Sequence, residues 1–297
     1  MHDPKMMAQI VGGAGFIAAL DQSGGSTPKA LEGYGIGADG YSTDEEMFAA
    51  IHQMRQRIVT APSFSGQKVL GAILFEKTMD GDADGKPVPQ TLWERGVVPF
   101  LKVDKGLEET DRGVQLMKDM PDLDAMLDRA RQRGIFGTKM RSVIHDAHDE
   151  GIGAIVDQQF EIANRIIEKG LMPIVEPEVS LKSRSRADAD RMLLTKLVAA
   201  LSALEPGRRV MLKLSLPVED DLFAPLVGHY AVARVVALSG GYTREEATEK
   251  LSRNRGMIAS FSRALLQDLR ADMDDMAFDK ALGAAIDDIY AASVCNG

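Results

Sequence analysis

A single cysteine, Cys295, is all the thiol chemistry that 297 residues carry. No intramolecular disulfide can form, which suits a reducing cytosol, and so late a position makes a nucleophilic role unexpected. Long apolar runs are missing too. No stretch approaches the roughly 18 residues that a membrane span needs. The opening MHDPKMMAQIVGGAGFIAAL carries its charges in the wrong places for a secretory signal. A cytoplasmic protein with no membrane partner is expected. Positive charge is also in deficit: 35 Lys and Arg stand against 44 Asp and Glu, a formal net charge of −9. That balance argues against nucleic acid, because phosphate backbones select basic patches. Low-complexity segments and long linkers are absent, so one domain over 1–297 is expected.

Several familiar signatures are missing as well. The chain has no HExxH motif, no GxxxxGK[ST] loop and no GxSxG elbow. Gly12-Gly13-Ala14-Gly15 comes before a strand, whereas a dinucleotide fingerprint follows one. Asp80–Gly85 opens like a calcium loop, but its twelfth position is Thr91, and Pro87 and Pro89 interrupt it. His145 and His148, three apart, read better as solvated residues at a helix start than as metal ligands. No metal and no cofactor are expected.

What is present is an alternation. Short apolar runs at Phe16–Asp21, Val69–Glu76, Val97–Asp104, Thr138–Val143, Leu171–Glu178, Val210–Pro217, Ala231–Ser239 and Met257–Phe261 read as eight strands. Helical patterns lie between them. Met47, Ile51, Met54 and Ile58 mark one face, opened by a capping box at Ser42 and Glu45. Leu123, Met126, Leu127 and Ala130 mark another, and Ile152 to Ile167 a longer one stopped by Gly170. A second capping box joins Thr243 and Glu246. Eight strand–helix units predict an α/β protein of the (β/α)₈ TIM-barrel type, with an open doubly wound sheet as the rival.

Charge interrupts these strands in a consistent way. Residues two apart on a strand share a face. Lys213 lies between Met211 and Ser215 on one face of VMLKLS, while Leu212 and Leu214 share the other. Lys139 pairs in the same sense with Arg141, Glu176 with Glu178, and Lys102 with Asp104; Asp21 and Glu76 close their strands. In a barrel the outer face packs under helices, so these charges should point inward, near the C-terminal strand ends where barrel active sites are built. Buried charge is costly without a partner or a purpose.

A chemistry follows from the residue types. A protonated lysine is a poor nucleophile, and burial beside other cations favours the neutral form. Lys213, sharing a barrel with Lys139 and Arg141, meets both conditions. A neutral lysine attacks a ketone to give an iminium ion, an electron sink for cleaving the adjacent C–C bond. Asp21 and Glu176 are available for proton transfer. Leu238-Ser239-Gly240-Gly241 and Ser262-Arg263 lie after strands seven and eight, where barrels recurrently bind phosphate. Ser23-Gly24-Gly25-Ser26 after strand one could receive a second phosphate.

With these residues in place, the sequence resembles the class I fructose-bisphosphate aldolases, most closely their shorter bacterial branch. The resemblance runs through LDQSGGSTPKAL, ILFEKTMD, PFLKVDKG, GTKMRSVI, MPIVEPE, VMLKLSLP, ALSGGYTREEA and ASFSRAL, in family order. It implies that Lys213 is the Schiff-base lysine. Glu176 would shuttle protons during carbinolamine dehydration, and Asp21 would handle the C4 hydroxyl proton. Lys139 would contact substrate and charged intermediates. Lys102, Arg141 and Glu178 would be further polar site residues, and Ser239, Gly240 and Arg263 the ketose-phosphate site. Small sugar phosphates are the implied partners. The chain departs from the longer relatives at Gln22, where they have glutamate, and at Leu214 and Ser215, where they have proline and asparagine. It also lacks their long tail ending in tyrosine. An aldolase for tagatose bisphosphate, or a non-catalytic sugar-phosphate-binding protein on the same fold, are the competing readings.

Overall fold

A computed structural model describes residues 3–295. Its centre is a barrel of eight parallel strands: β1 Phe16–Leu20, β2 Val69–Leu74, β3 Val98–Lys102, β4 Gly137–Ile144, β5 Met172–Val179, β6 Val210–Ser215, β7 Val232–Leu238 and β8 Ile258–Ala259. Neighbours in sequence are neighbours in the sheet, so every connection steps one strand onward. A hydrogen bond from Ala19 N–H to the Phe261 carbonyl, 3.0 Å, joins the first and last strands. All eight expected strands are present, with ends shifted by a residue or two. The fold is a (β/α)₈ barrel.

The strand faces sort as parity requires. Leu101, Met140, Val175, Leu212 and Leu214 belong to the large core between strands and helices. Ile17, Ala19, Ile73, Phe100, Met172, Ile174, Met211, Val236 and Ile258 form a second cluster inside the barrel. Phe100 is the largest of these, and two glycines make its space. A Cβ on Gly71 would lie 3.0 Å from its ring and one on Gly137 2.9 Å. Any side chain there would displace the ring or the strand.

The floor of the barrel is closed by a helix that the strand pattern did not reveal, Pro4–Gly12. Asp3 caps it, accepting from the N–H groups of Lys5 and Met6. Met6 and Ile10 enter the interior cluster, a burial worth about 1.5–3 kcal/mol per side chain. Gln9 donates to the Leu70 and Gly96 carbonyls, and Arg234 to those of Val11 and Gly13. At the same face lies a hollow of about 540 Å³ lined by Val11, Arg209, Gly256 and Val294, among others.

Most expected helical faces are buried, including Met47, Ile51, Met54 and Ile58 on Asp44–Thr60. The cap of that helix falls one residue later than expected. Thr43 accepts from Glu46 N–H, while the Glu46 carboxylate returns to Ser42 N–H. The Thr243–Glu246 capping box forms as read. Asp82–Ala83 and Lys86–Pro87 pair as a small hairpin on the stretch that opens like a calcium loop. His148 caps the helix Asp149–Glu168 through its ring nitrogen, and His145 meets the Gln115 amide at 2.8 Å. Among the described residues no helix is long and apolar enough to cross a membrane.

Candidate active site

Above the apolar interior the inward positions turn charged. On β3 Lys102 follows Phe100, on β4 Lys139 follows Gly137, on β5 Glu176 follows Ile174, and on β6 Lys213 follows Met211. Asp21 comes immediately after β1. The site is therefore the C-terminal mouth of the barrel, resting on a rigid hydrophobic base.

Lys139 is the hub. Its Nζ lies 2.7 Å from Asp21 Oδ2, 3.1 Å from Glu176 Oε2 and 3.8 Å from Asp104 Oδ2. Glu176 bridges two lysines, because its Oε1 is 3.2 Å from Lys213 Nζ. The side chains of Lys139, Glu176 and Lys213 are only 4–5% exposed. Lys102 is held against Asp104 at 2.8 Å, and Arg141 lies 3.4 Å from Glu178. Four carboxylates thus face four basic side chains, buried around Lys139, Glu176 and Lys213 and opening to solvent at Arg141, which is 43% exposed. Such pairing is what makes burial of these charges tolerable.

The network fixes some protonation states. Burial works against the Asp21 charge, but Lys139, then Lys213, outweigh it and hold the carboxyl well below its ordinary range. Burial likewise opposes the Lys139 charge, and Asp21, Glu176 and Asp104 overcome it, so its pKa is well above that of a free lysine. Lys139 is a permanent cation at neutral pH. Glu178 is shifted the other way: burial, reinforced by the Glu176 charge and opposed by Arg141, raises its pKa.

Two supports for this cluster were not legible in sequence. Gln159, fully buried on the helix Asp149–Glu168, accepts from Glu176 N–H at 2.8 Å. Ser215 both donates to the Val179 carbonyl and accepts from Val179 N–H, each at 2.9 Å. The β5–β6 ladder pairs only Ile174 with Met211 and Val175 with Leu212. Ser215 therefore ties the strand tops together above the end of that ladder. Glu76, expected with the inward charges, instead lies on the helix Glu76–Asp80 and pairs with Lys105 and Arg129.

The expected phosphate loops also meet. Ser239 is buried, Tyr242 N–H returns to its carbonyl, and Gly240 and Gly241 have φ of 61° and 125°. The Arg263 guanidinium lies against this turn, since a Cβ on Gly241 would be 3.6 Å from Nη2. Leu181, from the loop after β5, covers the same glycines; a Cβ on Gly240 would meet it at 3.2 Å. Arg263 has no ion-pair partner among the described residues. The helix it begins is only Arg263–Leu266, so the expected helix-terminus field is weak there. Ser23 lies in the turn after β1, where its N–H donates to Ser26 Oγ at 3.1 Å.

A parallel barrel with a buried lysine–carboxylate network at its C-terminal mouth defines a (β/α)₈-barrel enzyme of the kind that works through an amine nucleophile. The sequence model of the class-I fructose-bisphosphate aldolase family matches residues 5–213, and the chain belongs to that family. It is therefore an aldolase of the Schiff-base class. The match ends at Lys213, so the glycine turn after β7 and Arg263 after β8 lie beyond it. Among solved structures, a fructose-bisphosphate aldolase from Plasmodium falciparum, crystallised with TRAP and a small-molecule inhibitor, superposes with a TM-score of 0.80 at 21% identity. That match covers 98% of this chain and 93% of the other. A protein of Corynebacterium glutamicum matches at a TM-score of 0.58 and 14% identity, covering 98% and 92%. At these identities the likeness concerns the fold.

Proposed function

We propose that the chain is a single catalytic domain that reversibly cleaves fructose 1,6-bisphosphate into dihydroxyacetone phosphate and glyceraldehyde 3-phosphate, in glycolysis and gluconeogenesis in the cytoplasm. The observation that carries the reading is the division of labour between two lysines around one carboxylate. Lys139 has three carboxylates within 4 Å, whereas Lys213 has only Glu176 among the described residues. Lys139 is the fixed cation, and Lys213 is the nucleophile beside a proton acceptor.

Lys213 Nζ attacks the C2 carbonyl, and Glu176 carries protons as the carbinolamine loses water to give an iminium ion. Asp21 takes the proton of the C4 hydroxyl. The C3–C4 bonding pair moves into the iminium, forming an enamine and releasing the aldehyde. Protonation at C3 and hydrolysis then free the ketose phosphate and restore Lys213. Lys102, Arg141 and Glu178 line the mouth and contact substrate hydroxyls and phosphates, with Ser23 near the aldehyde-end phosphate. Because Asp21 is directed at C4, steady-state kinetics with fructose and tagatose 1,6-bisphosphates, which are C4 epimers, is the direct test. A preference for the tagatose ester would replace this substrate assignment.

The iminium supplies the electron sink that a Lewis-acid metal supplies in other aldol cleavages. Exhaustive chelation should therefore leave fructose 1,6-bisphosphate cleavage intact. Activity lost on chelation and restored by zinc would overturn this part of the reading.

Arg263, with Ser239 and Gly240, is assigned to the ketose-end phosphate. Arg263→Ala should weaken dihydroxyacetone phosphate binding by about 1.5–3 kcal/mol, the range for a hydrogen bond to a charged group. Unphosphorylated dihydroxyacetone should bind almost as before. Equal losses for both ligands would argue against direct phosphate contact.

A further inference from the structure

One arginine in the barrel wall is unlike the others. Arg55, on the helix Asp44–Thr60, is 1% exposed and has no carboxylate partner among the described residues. Burial draws its pKa down to about 10, with Asp21 opposing, so it remains a cation at neutral pH. Its hydrogen bonds go to neutral groups: Thr78 Oγ1 at 2.8 Å, the Gln22 carbonyl, and Gln22 Oε1 at 3.3 Å. Gln22 is itself buried beside Asp21, and its amide Nε2 donates to Ser262 Oγ at 2.5 Å.

These contacts have a polarity. A guanidinium has donors only, so the Gln22 side chain must turn its oxygen toward Arg55. The reverse flip would set an NH₂ against a cation. Nε2 then faces Ser262 and occupies an acceptor site on its hydroxyl. Ser262 Oγ has no other hydrogen bond among the described residues, so its own proton is available to an acceptor in the mouth. Ser262 precedes Arg263, whose guanidinium lies against the Gly240–Gly241 turn.

We propose that Ser262 is a further phosphate ligand, a hydroxyl donor to the ketose-end phosphate, and that buried Arg55 sets its polarity through Gln22. Ser262 touches the ligand; Gln22 and Arg55 are positioning residues. The assignment rests on the phosphate reading of Arg263 given above. It also gives a chemical reason for glutamine, rather than glutamate, after Asp21. A carboxylate at position 22 would satisfy Arg55 even better, but it is acceptor-only and would take the Ser262 proton for itself.

The test measures dissociation of dihydroxyacetone phosphate and of unphosphorylated dihydroxyacetone for wild type, Gln22→Glu, Ser262→Ala, Ser262→Thr and Arg263→Ala, with a thermal melt of each. Gln22→Glu should keep or raise the melting temperature, because it gives Arg55 an ion pair. It should still weaken the phosphorylated ligand about tenfold, as Ser262→Ala does. Ser262→Thr keeps the hydroxyl and should bind as wild type. Dihydroxyacetone should change less than about twofold throughout. If Arg263→Ala discriminates between the two ligands and Ser262→Ala does not, the inference fails while the phosphate site stands. If neither discriminates, both readings fall. Wild-type affinity in Gln22→Glu, or equal losses for both ligands, would refute the polarity relay. Should Gln22→Glu fail to fold, the comparison of alanine with threonine at 262 decides the ligand role.

Discussion

Lys213→Met should reduce cleavage of fructose 1,6-bisphosphate by roughly 10⁴- to 10⁶-fold, the scale seen when a covalent nucleophile is removed. Methionine is the informative choice because it conserves length and apolar bulk at a site that is 4% exposed, so the barrel should survive. The change leaves Glu176 with one lysine neighbour, Lys139 at 3.1 Å, in place of two. The companion measurement is chemical. Wild type incubated with dihydroxyacetone phosphate and reduced with borohydride should carry its adduct on the peptide containing Lys213, and the variant should carry none. Lys139 is the built-in control. It is equally buried and close to the same carboxylate, but its three acidic neighbours keep it protonated and hence unreactive toward a carbonyl. An adduct on Lys139, or an active enzyme that traps nothing, would reverse the roles of the two lysines.

The contrast between these lysines shows how far sequence reaches. Strand parity placed both inside the barrel, because leucine at 212 and 214 and methionine at 140 claim the outer face. It could not say which lysine would be surrounded by acids. Asp21, Asp104 and Glu176 come from three different strand ends, and their convergence on one Nζ is a property of barrel closure. Arg55 and Gln159 were invisible for a related reason. Each lies on a helix, where an isolated polar residue reads as solvent-facing, and only the partner at the strand end reveals why it is buried. Glu76 is the opposite case: its parity was inward, but a helix begins at that residue and turns it toward Lys105 and Arg129. The floor helix was missed although Met6, Met7, Ile10 and Val11 share one helical face, because it is only nine residues long and precedes the first strand. Ser215, read as a departure from the longer relatives, proves to tie the β5 and β6 tops together.

After C–C cleavage the enamine must gain a proton at C3, and the fold bears on which group delivers it. The longer relatives end in a tyrosine tail. Here the last tyrosine, Tyr290, belongs to the helix Asp275–Val294 and is packed against the core. Its ring lies 5.7 Å from the ammonium of Lys68, the residue before β2, which places it toward the N-terminal face. Val294 lines the hollow at that same face with Val11 and Gly256. The helix therefore leads away from the mouth where Lys213 sits. Glu176 is the group already in place, 3.2 Å from Lys213 Nζ and held through its backbone by Gln159. Its Oε2 has no directed hydrogen bond among the described residues and lies 3.1 Å from Lys139 Nζ. Deleting Val294–Gly297 should leave hydrogen exchange at C3 of dihydroxyacetone phosphate within about twofold of wild type. Glu176→Gln should slow that exchange by roughly 10²- to 10⁴-fold, the usual contribution of a positioned acid–base group. Schiff-base formation must be measured separately, since the same carboxylate serves dehydration. A truncated chain that still folds and still traps the substrate, but no longer exchanges C3 hydrogen, would make the tail the proton carrier.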